Sequence, residues 1–191
     1  MVQDSENQMP GGEKMPVYVA MLRSVNAGGN PLKMQWLRDV CAELGFADVQ
    51  TYLQSGNLVL SSKLGADAVA KKLKARIDGQ TRLPVPVFVR TAAEIKSIVD
   101  GNPFLKRKGI DASKLHVTFV GAPAESPDPA RFDKLAGTRD EYRLAGREVY
   151  LHCPINYGQT KLSNAAIERV LGPATTRNWN TVTALVAMSN A

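Results

Sequence analysis

Three short polar clusters carry the side chains with chemistry to offer. The first, LRSVNAGGN at 22–30, sets Arg23, Asn26, Gly28 and Gly29 directly behind the apolar run VYVAML. Glycines 28 and 29 permit positive φ and let backbone N–H groups come close to a ligand, and a helix begins a few residues on. Strand end, glycine loop and helix start together suit an anion; a plain turn is the alternative. The pattern is neither GxxxxGK[ST] nor GxGxxG, so no cofactor is expected. The second cluster, QSGN at 54–57, puts Ser55 and Asn57 at a hairpin tip, where turn chemistry alone accounts for them. The third is split between TKLSN, with Lys161 at a helix start, and TTRNWN, with Arg177 and Asn178. A cation in the first turn of a helix gains nothing from the macrodipole, so Lys161 calls for a bound anion or a structural carboxylate.

Arg23 raises the sharpest question. A strand-end arginine is costly to bury unpaired, and LRSVNAGGNP contains no acid to neutralise it. Solvent, a distant carboxylate or a bound anion must satisfy it. The expectation is that Arg23, the Gly28-Gly29 loop and Asn57 converge with Arg177 or Lys161 on one concave site. No nucleophile–base pair, elbow motif or flanking carboxylate pair accompanies these residues, so whether the protein is an enzyme stays open.

The elements that must position these groups follow from periodicity. VYVAML reads as a strand apolar on both faces, hence covered on both sides. Leu37, Val40, Cys41 and Leu44 recur at helical spacing before Gly45, a C-terminal stop. VQTYLQ and NLVLSS flank Ser55-Gly56 as a hairpin. Val69, Leu73 and Ile77 form one stripe of a helix whose other face carries Lys71, Lys72, Lys74 and Arg76. VPVFVR is a further strand, and Thr91 with Glu94 makes a capping box for a short helix.

This β-α-β-β-α-β order is the ferredoxin-like arrangement. In it strands one and three are neighbours, which would bring Asn57 toward Arg23. The order then restarts with LHVTFV, PARFDKLA, the hairpin EYRLAGREVYLHC and TKLSNAAIERVLG, a helix with Thr160 as its expected N-cap. TTRNWNTVTALVAM is read as one closing helix. The order of elements repeats, with no repeat visible residue by residue. The expectation is thus an α+β protein of two ferredoxin-like halves packed as one unit. A disordered tail covers 1–14, the halves span 15–103 and 115–191, and a basic, mobile linker loop covers 104–114.

Composition narrows the function classes. A formal charge of +6 includes a tail of −2, where Asp4, Glu6 and Glu13 oppose Lys14, which leaves +8 on the body. Such a body favours anionic partners. The longest apolar runs are too short to cross a bilayer, so no membrane association is expected. The tail lacks the apolar stretch of a secretory signal, so export is not expected. Two cysteines, Cys41 and Cys153, read as buried thiols of a cytoplasmic protein, and His116 and His152 as structural residues within strands. No ligand spacing calls for a metal.

YVAMLRSVNAGGN, LGFADVQTYLQSGNLVLSS, NPF at 102–104, TKLSN and TTRNWNTVTAL together resemble a bacterial family known as domain of unknown function 1697, from about residue 16 to 188. The chain departs from that pattern at Ser24. The resemblance implies a cytosolic α+β protein of ferredoxin-like halves and supplies no reaction. Three functions then compete. The first is a small anionic ligand, a nucleotide or phosphorylated metabolite, held between the halves by Arg23, Asn26, Gly28, Gly29, Ser55, Asn57, Lys161 and Arg177, with Asn178 beside them. The second is nucleic-acid binding, against which the third strand lacks stacking aromatics. The third is a scaffold without ligand.

Overall fold

In a computed structural model of the chain, residues 14–23, 25, 32–81, 84–122 and 129–190 are described. The tail expected at 1–14 lies outside them apart from Lys14, as do Asn26, Gly28 and Gly29.

The first strand, β1 (Val17–Leu22), alternates between two cores because both its faces are apolar. Tyr18, Ala20 and Leu22 face one cluster; Val19 and Met21 face another. Helix α1 (Met34–Glu43) follows and ends as expected, with Gly45 at φ 78° just beyond its last turn. Strands β2 (Ala47–Tyr52) and β3 (Asn57–Ser61) form the hairpin, turning at Gly56 with φ 75°. A Cβ at Gly56 would lie 2.4 Å from Val25 Cγ2 and 2.9 Å from Leu22 Cβ, so conformation and close packing both require glycine there. Helix α2 (Ala66–Thr81) buries Val69, Leu73 and Ile77. β4 (Val87–Thr91) leads directly into α3 (Ala92–Asp100), whose capping box is complete.

The second set is β5 (Leu115–Val120), α4 (Pro129–Ala136), β6 (Glu141–Ala145), β7 (Glu148–His152), α5 (Asn164–Leu171), β8 (Ala174–Asn178) and α6 (Trp179–Ser189). Each set closes an antiparallel sheet with the same order, β2-β3-β1-β4 and β6-β7-β5-β8. Among the described residues, the protein is therefore a mixed α+β structure of two four-stranded antiparallel sheets and six α-helices.

Two expectations need correction. TTRN does not open the closing helix: residues 174–178 are a strand paired to β5, and the helix begins at Trp179. β-Branched Thr175 and Thr176 suit a pleated strand, and Asn178 caps the helix by accepting from the Thr181 amide at 2.8 Å. The N-cap of α5 is Ser163 and not Thr160. The Thr160 hydroxyl instead donates to Asp140 at 2.5 Å and accepts from the Leu162 amide.

Three cores stack through the molecule. α1 and α2 cover the outer face of the first sheet, and Phe132, Leu162 and Ile167 cover the outer face of the second. The middle core joins the halves, packing Val19, Met21, Val59 and Phe88 with Leu115, Val117, Phe119 and Trp179. The basic segment 104–114 is anchored in this core by Phe104, 1% exposed, with Ile110 and Ala112 packed against it; residues 105–109 are exposed. Cys41 and Cys153 are buried free thiols, raised by burial to about 12 and about 11 respectively. No helix among the described residues is long and apolar enough to cross a membrane.

Candidate functional site at the seam between the sheets

Arg177 sits near the end of β8, 8% exposed, and points out of its own half. Its Nε donates to Asn57 Oδ1 at 2.5 Å, and one terminal nitrogen donates to the carbonyls of Leu22 at 2.8 Å and Ser55 at 3.2 Å. The other donates to Thr175 Oγ1 and the Thr176 carbonyl. All five guanidinium donors are thereby used, and every acceptor is neutral. Burial, and then the charge of Arg23, pull the Arg177 pKa down to about 10.

Asn57 is fully buried and is the hub of this arrangement. Its amide donates to the Tyr52 carbonyl at 3.0 Å and to Ser55 Oγ at 2.9 Å, which shapes the hairpin tip, while its oxygen receives Arg177. Pairing of β1 with β3 sets Asn57 opposite Met21, two residues before Arg23. Arg23 takes the distant-carboxylate solution. It donates through two nitrogens to Glu168 of α5, at 3.1 and 2.9 Å, 145 residues away in sequence. Burial pushes the Glu168 carboxyl up, but hydrogen bonds from Arg23 and the Ala174 amide outweigh it and hold the group below the ordinary carboxylate range.

Arg23, Ser55, Asn57 and Arg177 therefore meet at one end of the seam. Two expected residues do not join them. Lys161 lines a separate groove with Arg131, Lys134 and Arg169, and Asn178 is occupied as the α6 cap. Asn26, Gly28 and Gly29 lie outside the described residues.

The opposite end of the seam repeats the geometry with roles exchanged. β4 pairs Arg90 with Val19 of β1 just as β8 pairs Arg177 with Val117 of β5. Asn57 faces Met21 just as Glu148 faces Phe119. Arg90, 2% exposed, reaches from the first half into the second, where Nε donates to Glu148 at 2.8 Å and a terminal nitrogen to the Val120 carbonyl at 3.0 Å. Burial lowers the Arg90 pKa against the opposing pull of Glu148. The sequence trace of this exchange is Pro86-x-x-x-Arg90-Thr91 against Pro173-x-x-x-Arg177-Asn178, a residue-level repeat that the sequence reading missed. In each copy the last residue caps the next helix.

The repeat makes the differences informative. Arg90 meets a carboxylate where Arg177 meets an amide. Arg23 and Gly121 occupy matching positions, their amides donating to Pro86 and Pro173 at 2.9 Å each. One end of the seam thus balances Arg90 and Arg147 against Glu148 and Glu94. The other gathers two arginines and one glutamate, an excess of one positive charge in partly buried surroundings.

A family model described as protein of unknown function (DUF1697) matches residues 15–150, more than two thirds of the 191-residue chain. The chain belongs to the DUF1697 family. Among solved structures, the conserved bacterial protein SP0830 from Streptococcus pneumoniae is similar with a TM-score of 0.71, over 93% of this chain and 99% of that one. At 17% identity that likeness extends to the fold alone. No curated protein matches the chain.

Proposed function

We propose that this DUF1697 member binds a small anionic ligand, of the nucleotide or phosphorylated-metabolite class, at the Arg23 end of a seam between two ferredoxin-like halves. One observation carries the reading. Two matching ends of one seam differ by a carboxylate replaced with an amide and a glycine replaced with an arginine, and both changes add positive charge to the same end. Arg177 supplies field and holds Asn57, since its donors are already used. Arg23 is the group that meets the ligand, with Glu168 as the carboxylate the ligand displaces or shares. Buried thiols agree with a cytoplasmic setting.

The ferredoxin-like reading rests on the strand orders, each matching that arrangement. It also argues against the nucleic-acid alternative. RNA-recognition domains offer an open sheet face to bases, and the inner faces of both sheets here are buried in one shared core with α3 and α6.

A thermal-shift screen against nucleotides and phosphorylated metabolites tests the proposal, because a ligand at a hundred times its Kd adds about 2.7 kcal/mol. The expected result is a stabilising ligand whose effect Arg23→Ala abolishes and Glu168→Gln strengthens. Finding no ligand whose stabilisation depends on Arg23 would overturn the seam site, and no stabilising ligand at all would favour the scaffold reading.

A further inference from the structure

A second, independent feature lies on the outside of the second half. The short helices α4 and α5 each turn one i, i+3, i+4 face toward the other: Arg131, Lys134 and Leu135 from α4, and Ala166, Arg169 and Val170 from α5. Between them runs an open groove of about 420 Å³, and Lys161 closes one side. Its floor is apolar and its rim carries four cations. Among the described residues none of the four pairs with a carboxylate.

Among the described residues the neighbouring acids are turned away. Asp133 accepts from the Tyr142 hydroxyl at 2.8 Å, Asp140 accepts from Thr160 at 2.5 Å, and Glu168 holds Arg23 across the seam. Among the described residues no carboxylate offsets these four cations, which repel one another around the hollow; Arg169 Nε donates only to the Ala165 carbonyl of its own helix.

The matching place in the first half shows the alternative. There α1 and α2 cover the first sheet, and Trp36 of α1 lies under Arg76 of α2, 5.8 Å from ring centroid to guanidinium carbon. Arg76 also pairs with Glu43 at 3.1 Å. An aromatic ring and a carboxylate thus occupy there the place that stays open and cationic in the second half.

We propose that the α4–α5 groove binds a small molecule bearing a di- or triphosphate group. Phosphates would lie among Arg131, Lys134, Lys161 and Arg169, with the rest of the ligand on the apolar floor. The size argues for a small ligand over a nucleic-acid strand, because an eight-residue helix is only about 12 Å long. The volume falls in the ordinary range of small-molecule sites.

The test is calorimetry of the full chain with inorganic tripolyphosphate at physiological salt. The expected result is one binding event, weakened tenfold or more in Arg131→Gln/Arg169→Gln. Lys72→Glu, on the exposed basic face of α2, is expected to leave it within twofold, as is Arg23→Ala, which separates this site from the seam. Should the double variant fold poorly, the wild type still decides the matter: tripolyphosphate should protect Lys134 and Lys161 from acetylation and leave Lys72 reactive. Equal weakening by Lys72→Glu would overturn the proposal, reducing it to net charge. So would dependence on Arg23 alone, absence of binding at millimolar tripolyphosphate, or tight salt-sensitive binding of a single-stranded 20-mer where tripolyphosphate fails to bind.

Discussion

At the scale of single residues, Arg177 and Gly56 have no substitute. Arg177→Lys keeps the charge but loses the fork that reaches Asn57, Leu22 and Ser55 together. Buried carbonyls left without donors cost about 1–3 kcal/mol each, so a loss of roughly 2–4 kcal/mol is expected by urea denaturation. A loss under half a kcal/mol would mean the arginine does not hold the seam. Gly56→Ala combines a left-handed φ with contacts no Cβ can accept, and should cost at least ~1–3 kcal/mol in the same assay. Glu168 carries a pH signature. Its folded pKa lies below the unfolded value, so its contribution is complete above the unfolded pKa of about 4.3 and fades as pH falls through the folded value. Glu168→Gln should remove part of the acid destabilisation seen below that point, measured as denaturation midpoint against pH.

At the scale of elements, the exchange of strands for helices at Thr91 and Asn178 is the recurring device. β4 and β8 each end on a residue that caps the helix entering the middle core, so arginine placement and helix direction are set together. Asn178→Ala should cost about 1 kcal/mol, the ordinary value of an N-cap, and leave ligand stabilisation unchanged. Diminished ligand stabilisation would return Asn178 to the binding site. Thr91→Ala should cost a similar ~1 kcal/mol, since it removes the hydroxyl that accepts from the Glu94 amide while the Thr91 amide and Arg147 still hold the Glu94 carboxylate.

For the whole molecule, the shared middle core governs how the halves behave. Lys106, Arg107 and Lys108 are exposed, while Phe104 on one side and Ile110 on the other are packed inward. Trypsin is expected to cut first at 106–108, and the two fragments should stay together on gel filtration until denaturant is added. Arg107 pairs with Glu141, which should make Lys106 and Lys108 the faster sites. Fragments that separate in native buffer would show that the middle core and the two buried arginines do not hold the halves. Cleavage no faster than in the strands would show that the anchoring of Phe104 orders the whole segment.

Much of this architecture follows from local pattern. The doubly apolar run VYVAML, the helical stripe of Val69, Leu73 and Ile77, the Thr91–Glu94 box and the Ser55-Gly56 turn depend on spacing within a few residues, so the chain states them directly. Strand adjacency also followed, since it brought Asn57 to the end of β1 near Arg23. The strand at 174–178 was hidden because TTRN runs into a strongly helical segment without a break, and its pairing with β5 is a contact across more than fifty residues. The repeat of Arg90 and Arg177 was hidden for a related reason: two residues separated by 87 positions share a role only once two sheets face each other. The partner of Arg23 is the clearest case. No acid stands near it in the chain, and Glu168, 145 residues on, becomes its neighbour only through packing of the second half against the first. Local sequence determined which groups were available, and tertiary packing decided which charges cancel and which remain.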